Sequence, residues 1–299
     1  MQPHSPSDAL PQLPPGPVGV FDSGYGGLSV LRHLRQRLPA LDYIYLGDRG
    51  RAPYGGRDLN TVLDFAEQCV ERLFAEGCRV IVVACHTVSC VALRHLQQRY
   101  AGPSRRLLGV TIPAAECAVA QTKGRIGFLG TSRTVASHTF RTEVHKLAPH
   151  LHVTEVAAPL LAPIVEEGIE EGEIARLAVE RYLSLVGEMD TLVLGCTHYP
   201  LLRKAFESLV PNGASILDPA PYVAERFADW LDRHPDFATA NRGTLRILCS
   251  GETSRFSTNA SRFLGEAPPS IEHVSENAGR LTFSPEDSEP AGQLVRAMH

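Results

Sequence analysis

The run Val80-Ile-Val-Val-Ala contains no polar side chain, and runs like it recur along the chain. A strand with one face in water alternates polar and apolar residues. A strand apolar on both faces must be covered on both, which is the condition of a parallel sheet flanked by helices. These runs alternate with segments whose leucines, valines and alanines repeat at helical spacing. Residues 18–21, 42–46 and 80–84 read as strands, separated and followed by helices over 28–38, 59–76 and 89–99. A second series gives strands at 125–129, 153–157 and 191–194, with helices at 137–147, 173–186 and 201–209. A helix over 222–231, a strand over 245–249 and a helix over 254–263 complete it. The expected class is α/β, with two lobes of mainly parallel sheet and a cleft between them.

With 299 residues, 43% of them apolar, the chain has material for one large domain or two smaller ones. The formal net charge is −4 and the basic residues are scattered, so no field gathers nucleic acid or an acidic membrane surface. No apolar stretch approaches the ~20 residues that cross a bilayer. Residues 1–17 are rich in proline and polar residues and lack a charged start followed by an apolar run, so they read as a disordered extension rather than a signal peptide. The seven cysteines are odd in number and form no C-x-x-C pair, which suits free thiols in a reducing compartment. The expected location is the cytoplasm, and the expected partner is a small molecule rather than nucleic acid or membrane, with a homodimer left open.

One internal echo carries the chemistry. Val80-Ile-Val-Val-Ala-Cys85-His86-Thr87 parallels Thr191-Leu-Val-Leu-Gly-Cys196-Thr197-His198: an apolar strand, a small residue, a cysteine, then hydroxyl- or imidazole-bearing residues. Ligands of open α/β sheets sit just beyond the carboxyl ends of strands, and both cysteines fall there, one in each lobe. Thiolate is the reactive form, favoured at a helix N-terminus or beside a cation. Two thiols facing each other across a cleft can act on one carbon, one removing a proton while the other delivers one to the opposite face. That arrangement inverts a stereocentre with no cofactor. Either cysteine alone reads most simply as a small buried hydrophobe; matched placement in two lobes favours catalysis. The other five cysteines read as packing residues.

Other polar groups cluster in loops after strands. In Phe21-Asp22-Ser23-Gly24-Tyr25-Gly26-Gly27 the glycines let backbone N–H groups approach an anion, although the spacing is not that of a dinucleotide loop. Asp22 reads equally as a proton relay or a helix cap. Loops 47–56 and 130–134 offer further donors, the latter with hydroxyls that also suit N-caps. His145, His150 and His152 lie near one another without a carboxylate motif, so no metal is expected.

The chain resembles the bacterial glutamate racemases. The resemblance rests on Val20-Phe-Asp-Ser-Gly-Tyr-Gly-Gly-Leu-Ser-Val-Leu31, Gly47-Asp48 with Ala52-Pro-Tyr-Gly55, Ala84-Cys-His-Thr87, Ile126-Gly127 through Gly130-Thr131, Ile164-Val-Glu166, and Leu194-Gly-Cys-Thr-His-Tyr-Pro-Leu-Leu202. It extends into Ser250-Gly251 and Phe263-Leu264-Gly265, covering about residues 17–275. It implies two doubly wound lobes related by a pseudo-twofold, the first from 17–112 plus 222–280 and the second from 113–221, with the active site in the cleft; by their composition, 1–16 read as a disordered extension and the polar 281–299 as a mobile tail. It implies interconversion of L- and D-glutamate without pyridoxal phosphate, giving D-glutamate for peptidoglycan. Cys85 would serve the D-enantiomer and Cys196 the L-enantiomer, assisted by Asp22 and His198, with Asp48 and Glu166 as secondary carboxylates. Substrate contacts would come from Ser23, Pro53, Tyr54, Gly55, His86, Thr87, Thr131, Thr134 and Thr197.

One departure stands beside the reactive thiol. The family usually has asparagine at His86. A cationic imidazole there would favour the Cys85 thiolate, and a neutral one would be a bulkier donor or acceptor. The family's glutamate–proline stretch also reads here as Thr111-Ile112-Pro113. Two other functions fit the same residues: a racemase of another, aspartate-like amino acid, or a paralogue that binds an amino acid without turning it over. The two retained thiols favour an enzyme.

Overall fold

The computed structural model describes residues 16–237, 242–277 and 279–282. Nearly all of the expected N-terminal extension, and residues 283–299 of the expected tail, lie outside the described residues. The first part of the chain forms β1 (Val18–Asp22), α1 (Leu28–Arg37), β2 (Tyr43–Gly47), α2 (Leu59–Ala75), β3 (Val80–Val83), α3 (His86–Val91), α4 (Leu93–Tyr100), β4 (Arg106–Gly109) and α5 (Thr111–Gln121). Then come β5 (Arg125–Gly130), α6 (Ser132–Ala136), α7 (Thr139–Leu147), β6 (His152–Ala157), α8 (Leu161–Glu166), α9 (Glu173–Val186), β7 (Thr191–Gly195), α10 (Arg203–Leu209) and β8 (Ser215–Leu217). The chain continues through α11 (Ala220–Asp232), β9 (Leu245–Ser250), α12 (Thr253–Leu264), β10 (Ile271–Val274) and a short hairpin, β11 (Glu276–Asn277) with β12 (Arg280–Leu281).

Two sheets result, and all their strand pairs are parallel. The first has the order β10-β9-β2-β1-β3-β4 and the second the order β6-β5-β7-β8. The second repeats the core order β2-β1-β3-β4 of the first, so β3 and β7 occupy equivalent places. The apolar runs explain the layering. All four residues of β3 and all five of β7 are buried, and full burial of each large aliphatic side chain contributes about 1.5–3 kcal/mol. Alternate residues of one strand serve opposite layers. Val20 and Val82 join α1 and, through it, Leu129 and Leu194 of the second sheet in one cluster. Phe21 and Val83 face α2, and Phe128 and Val193 face α5 and α7.

The structure corrects several expected elements. The helix expected over 89–99 is two helices that break at Ala92, and the first begins at His86 because Cys85 occupies its N-cap position. The helix expected over 137–147 is α7, which starts at Thr139 after His138, whose φ of 51° lies in the left-handed region; α6 precedes it, in the stretch expected as a loop. Residues 199–202 form a 3₁₀ turn before α10. Helices α5 and α8 were missed: each carries a proline at its third residue, in the first turn, where no intrahelical N–H bond is lost. Leu281 and Thr282, placed in the mobile tail, are buried.

Candidate active site

The carboxyl ends of β1, β3, β5 and β7 converge, and each delivers polar side chains. Cys85 follows β3 and Cys196 follows β7. Both are buried free thiols, close enough that the charge of Cys196 bears on Cys85. Burial and then the Asp22 carboxylate push the Cys85 thiol up to about 12. Its Sγ lies 3.6 Å from Ser23 Oγ. Cys196 Sγ lies 3.7 Å from His198 Nδ1. On the other side of that ring, Nε2 is 3.2 Å from Glu166 Oε1, and Arg49 Nη2 donates to Glu166 Oε2 at 3.4 Å. Burial disfavours charge on His198, but the bonds and charges of Cys196 and Glu166 outweigh it and lift its pKa to about 10. Glu166 sits below its ordinary range: burial opposes this, and His198 and Arg49 overcome it.

Asp22 joins the two halves. Its Oδ1 accepts from Gly24 N–H at 2.9 Å and its Oδ2 accepts from Thr197 Oγ1 at 3.4 Å. It bonds within its own loop and reaches the second lobe, so it does not cap α1, whose N-cap position belongs to Gly27. Burial raises its pKa against the pull of His198 and the backbone donors. The glycine loop explains this close approach: a Cβ at Gly26 would come within 2.8 Å of the His198 ring. Thr87, Thr131 and Thr134 form a triangle of hydroxyls with edges of 3.1, 2.9 and 3.4 Å. Thr131 also caps α6, accepting from Thr134 N–H, as the cap reading expects. Gly55 faces Thr131, where a Cβ would lie 2.6 Å from the threonine Cβ.

Two expected site residues have surroundings that only the fold reveals. Asp48 is fully buried, and its carboxylate is held by Arg51, Tyr54 and Ser250. Neither ring nitrogen of His86 has a partner. His86 lines a cavity of about 10 Å³ with Ser29, Val110, Asp218 and Val223, and that cavity borders Cys196 and Thr197 but not Cys85. Burial lowers its pKa to about 4, so the imidazole is neutral and the cationic alternative is set aside. Arg49, Arg51 and Gln68 escaped the sequence reading; arginines inside a glycine-rich loop after a buried strand were the signal available. A groove of about 850 Å³, lined in part by Arg94, Thr111, Arg226 and Trp230, touches neither reactive cysteine. Size alone favours it as a ligand site, but the convergent acid–base groups lie elsewhere. Among the described residues, no group of three or more His, Cys, Asp or Glu is placed to hold a metal, and no helix is long and apolar enough to cross a membrane.

Two sheets of the same strand order thus each end in a buried thiol, one within reach of the Asp22 charge and the other beside an imidazole. The sequence pattern described as Asp/Glu/Hydantoin racemase matches residues 18–226, and the chain belongs to that family. It is 39% identical over 263 residues to a glutamate racemase of Neisseria gonorrhoeae, covering 87% of this chain and 96% of that one. It is 38% identical over 262 residues to a glutamate racemase of Chlorobaculum parvum, covering 86% and 96%. The solved glutamate racemase of Francisella tularensis in complex with D-glutamate superposes with a TM-score of 0.81 at 27% identity, covering 87% and 97%.

Proposed function

We propose that this protein interconverts L- and D-glutamate by a two-thiol mechanism that needs no cofactor, and that it supplies D-glutamate for peptidoglycan from the cytoplasm. The observation that carries the reading is the placement of Cys85 and Cys196 at equivalent strand ends of two sheets with the same strand order. The chain supplies its own acid and base. Cys196 as thiolate takes the α-proton of L-glutamate while Cys85 as thiol protonates the opposite face, and the D-enantiomer reverses both roles. The His198 imidazolium attracts negative charge on Cys196 Sγ, with Glu166 and Arg49 holding the ring. Asp22 serves Cys85. The hydroxyls of Ser23, Thr87, Thr131, Thr134 and Thr197 and the loop Pro53-Tyr54-Gly55 bind the carboxylates and ammonium group.

Circular dichroism of purified protein incubated with each glutamate enantiomer in chelator tests this. Both enantiomers are expected to converge on the racemate without pyridoxal phosphate or added metal. Activity on aspartate alone, or only after a cofactor is supplied, overturns the reading.

A further inference from the structure

A continuous set of hydrogen bonds runs from the hairpin β11–β12 to the proposed substrate loop. Leu281 N–H donates to Gln68 Oε1 at 2.9 Å, and the Gly279 carbonyl accepts from Arg51 Nη1 at 3.2 Å. Arg51 Nη1 also donates to Gln68 Oε1 at 2.8 Å. The Nε of the same guanidinium lies 3.0 and 2.8 Å from the two oxygens of Asp48, and its Nη2 reaches Cys69 Sγ at 3.6 Å. Asp48 then accepts from the Tyr54 hydroxyl and from Ser250 Oγ. Tyr54 stands between Pro53 and Gly55, and the Gly55 carbonyl accepts from Arg133 N–H of the second lobe at 2.9 Å.

The set is dry and stiff. Asp48, Arg51, Tyr54 and Gln68 are all at most 4% exposed. A guanidinium presents its donors in a fixed fork, so a shift at one bond is carried to the others. A second tie, from Arg72 Nη1 to the Thr282 carbonyl at 3.0 Å, anchors the end of the hairpin. The Leu281 side chain is buried in the same cluster as Tyr54, Cys69 and Cys85.

We propose that the hairpin acts as a strap that sets the Pro53-Tyr54-Gly55 loop, and that Gln68 and Arg51 are positioning residues which determine how tightly substrate is held. This rests on the racemase reading above, in which that loop touches glutamate. Gln68 is the better probe, because altering Arg51 strands a buried carboxylate. Gln68→Met keeps the side-chain volume and removes the shared acceptor, together with the donation from Gln68 Nε2 to Asp64 Oδ2 at 2.9 Å.

The test measures initial rates on both enantiomers with the full chain, together with hydrogen exchange at residues 52–57. Gln68→Met is expected to raise KM about tenfold for each enantiomer with kcat changed less than about threefold. Exchange in the loop speeds up in Gln68→Met. An unaltered KM in folded Gln68→Met overturns the proposal. If that variant does not fold, Leu281→Ala carries the test, with the same KM rise expected and an unchanged KM overturning it. If the wild-type protein does not racemise glutamate, the functional reading fails by itself, and exchange then decides the strap: unchanged protection at 52–57 in Gln68→Met sinks it.

Discussion

The corners around Cys85 and Cys196 share a backbone plan and differ in charge. Each thiol follows a buried strand at the same place in its sheet. Around Cys85 stand the Asp22 carboxyl, the Ser23 hydroxyl and an uncharged imidazole, and the thiol is raised to about 12. Around Cys196 stand a histidine held charged up to about 10 and the glutamate that pairs with it. The difference follows from where the histidine falls. His86 comes directly after its cysteine, becomes the first residue of α3, and is buried without a partner at a small cavity that it shares with Cys196 and Thr197. His198 comes two residues after its cysteine, in a stretch with no α-helix, where its ring meets Glu166. A repeated fold thus places two thiols at equivalent strand ends, and a one-residue offset gives the two histidines different surroundings.

The strongest way to break this comparison is to remove one thiol at a time. Cys85→Ala and Cys196→Ala are each expected to lower racemisation by at least ~10²-fold, the usual contribution of a general acid or base. The remaining thiol keeps half of the chemistry. In deuterated water, Cys85→Ala should wash the α-hydrogen out of L-glutamate without inversion, and Cys196→Ala should do so with D-glutamate. Exchange of the same enantiomer in both variants contradicts the assignment of faces. Because enantiomers have equal free energy, kcat/KM must match in the two directions, so the asymmetry is read from exchange rather than from that ratio.

The charged corner gives the next largest effect. His198→Asn should lower kcat/KM by roughly 10–10²-fold, the lower part of the acid–base range. It should also alter stability against pH. The folded pKa of His198 is raised from 6.5 to about 10, so its contribution is fully present below 6.5 and is lost as pH rises through 10. Urea midpoints of the wild type should fall across that window more steeply than those of the variant; equal slopes argue against a charged His198.

Asp22→Asn tests the other corner at intermediate strength. It removes the second-largest cause of the raised Cys85 thiol, leaving burial in place. The pH midpoint for alkylation of Cys85 should therefore move down in the variant. A midpoint that stays put or rises places Asp22 too far from the sulfur to act on it.

The smallest effect belongs to His86→Asn. Since His86 is neutral above about 4, the acid limb of kcat/KM should be unchanged. The acid side of stability should change instead. The folded pKa lies below the ordinary 6.5, so the wild type loses stability as pH falls from 6.5 toward 4, and the variant should lose less. A moved acid limb would restore the imidazole to the catalytic cleft.

Much of the fold and the core of the site could be read from the chain alone. Runs such as Val80-Ile-Val-Val and Thr191-Leu-Val-Leu have one stable environment, a strand covered on both faces, so the α/β class and the strand ends bearing Cys85 and Cys196 followed from local pattern. Elements with weak local signals were lost. The edge strands β4 and β10 are only four residues long, β8 only three, and the first turns of α5 and α8 contain proline.

What the sequence determined by itself is the placement of two thiols at strand ends, of their glycine-rich neighbour loop and of the hydroxyls that accompany them. Tertiary structure alone decided what each charge does. The resemblance makes Asp48 a secondary carboxylate, but only the fold brings Arg51, Tyr54 and Ser250, the last 202 residues away, around it. His86 looked able to carry a charge until burial without a partner made it neutral. The physical reason is that hydrophobic periodicity is written in neighbouring residues, whereas desolvation and pairing depend on atoms that only the folded chain brings together.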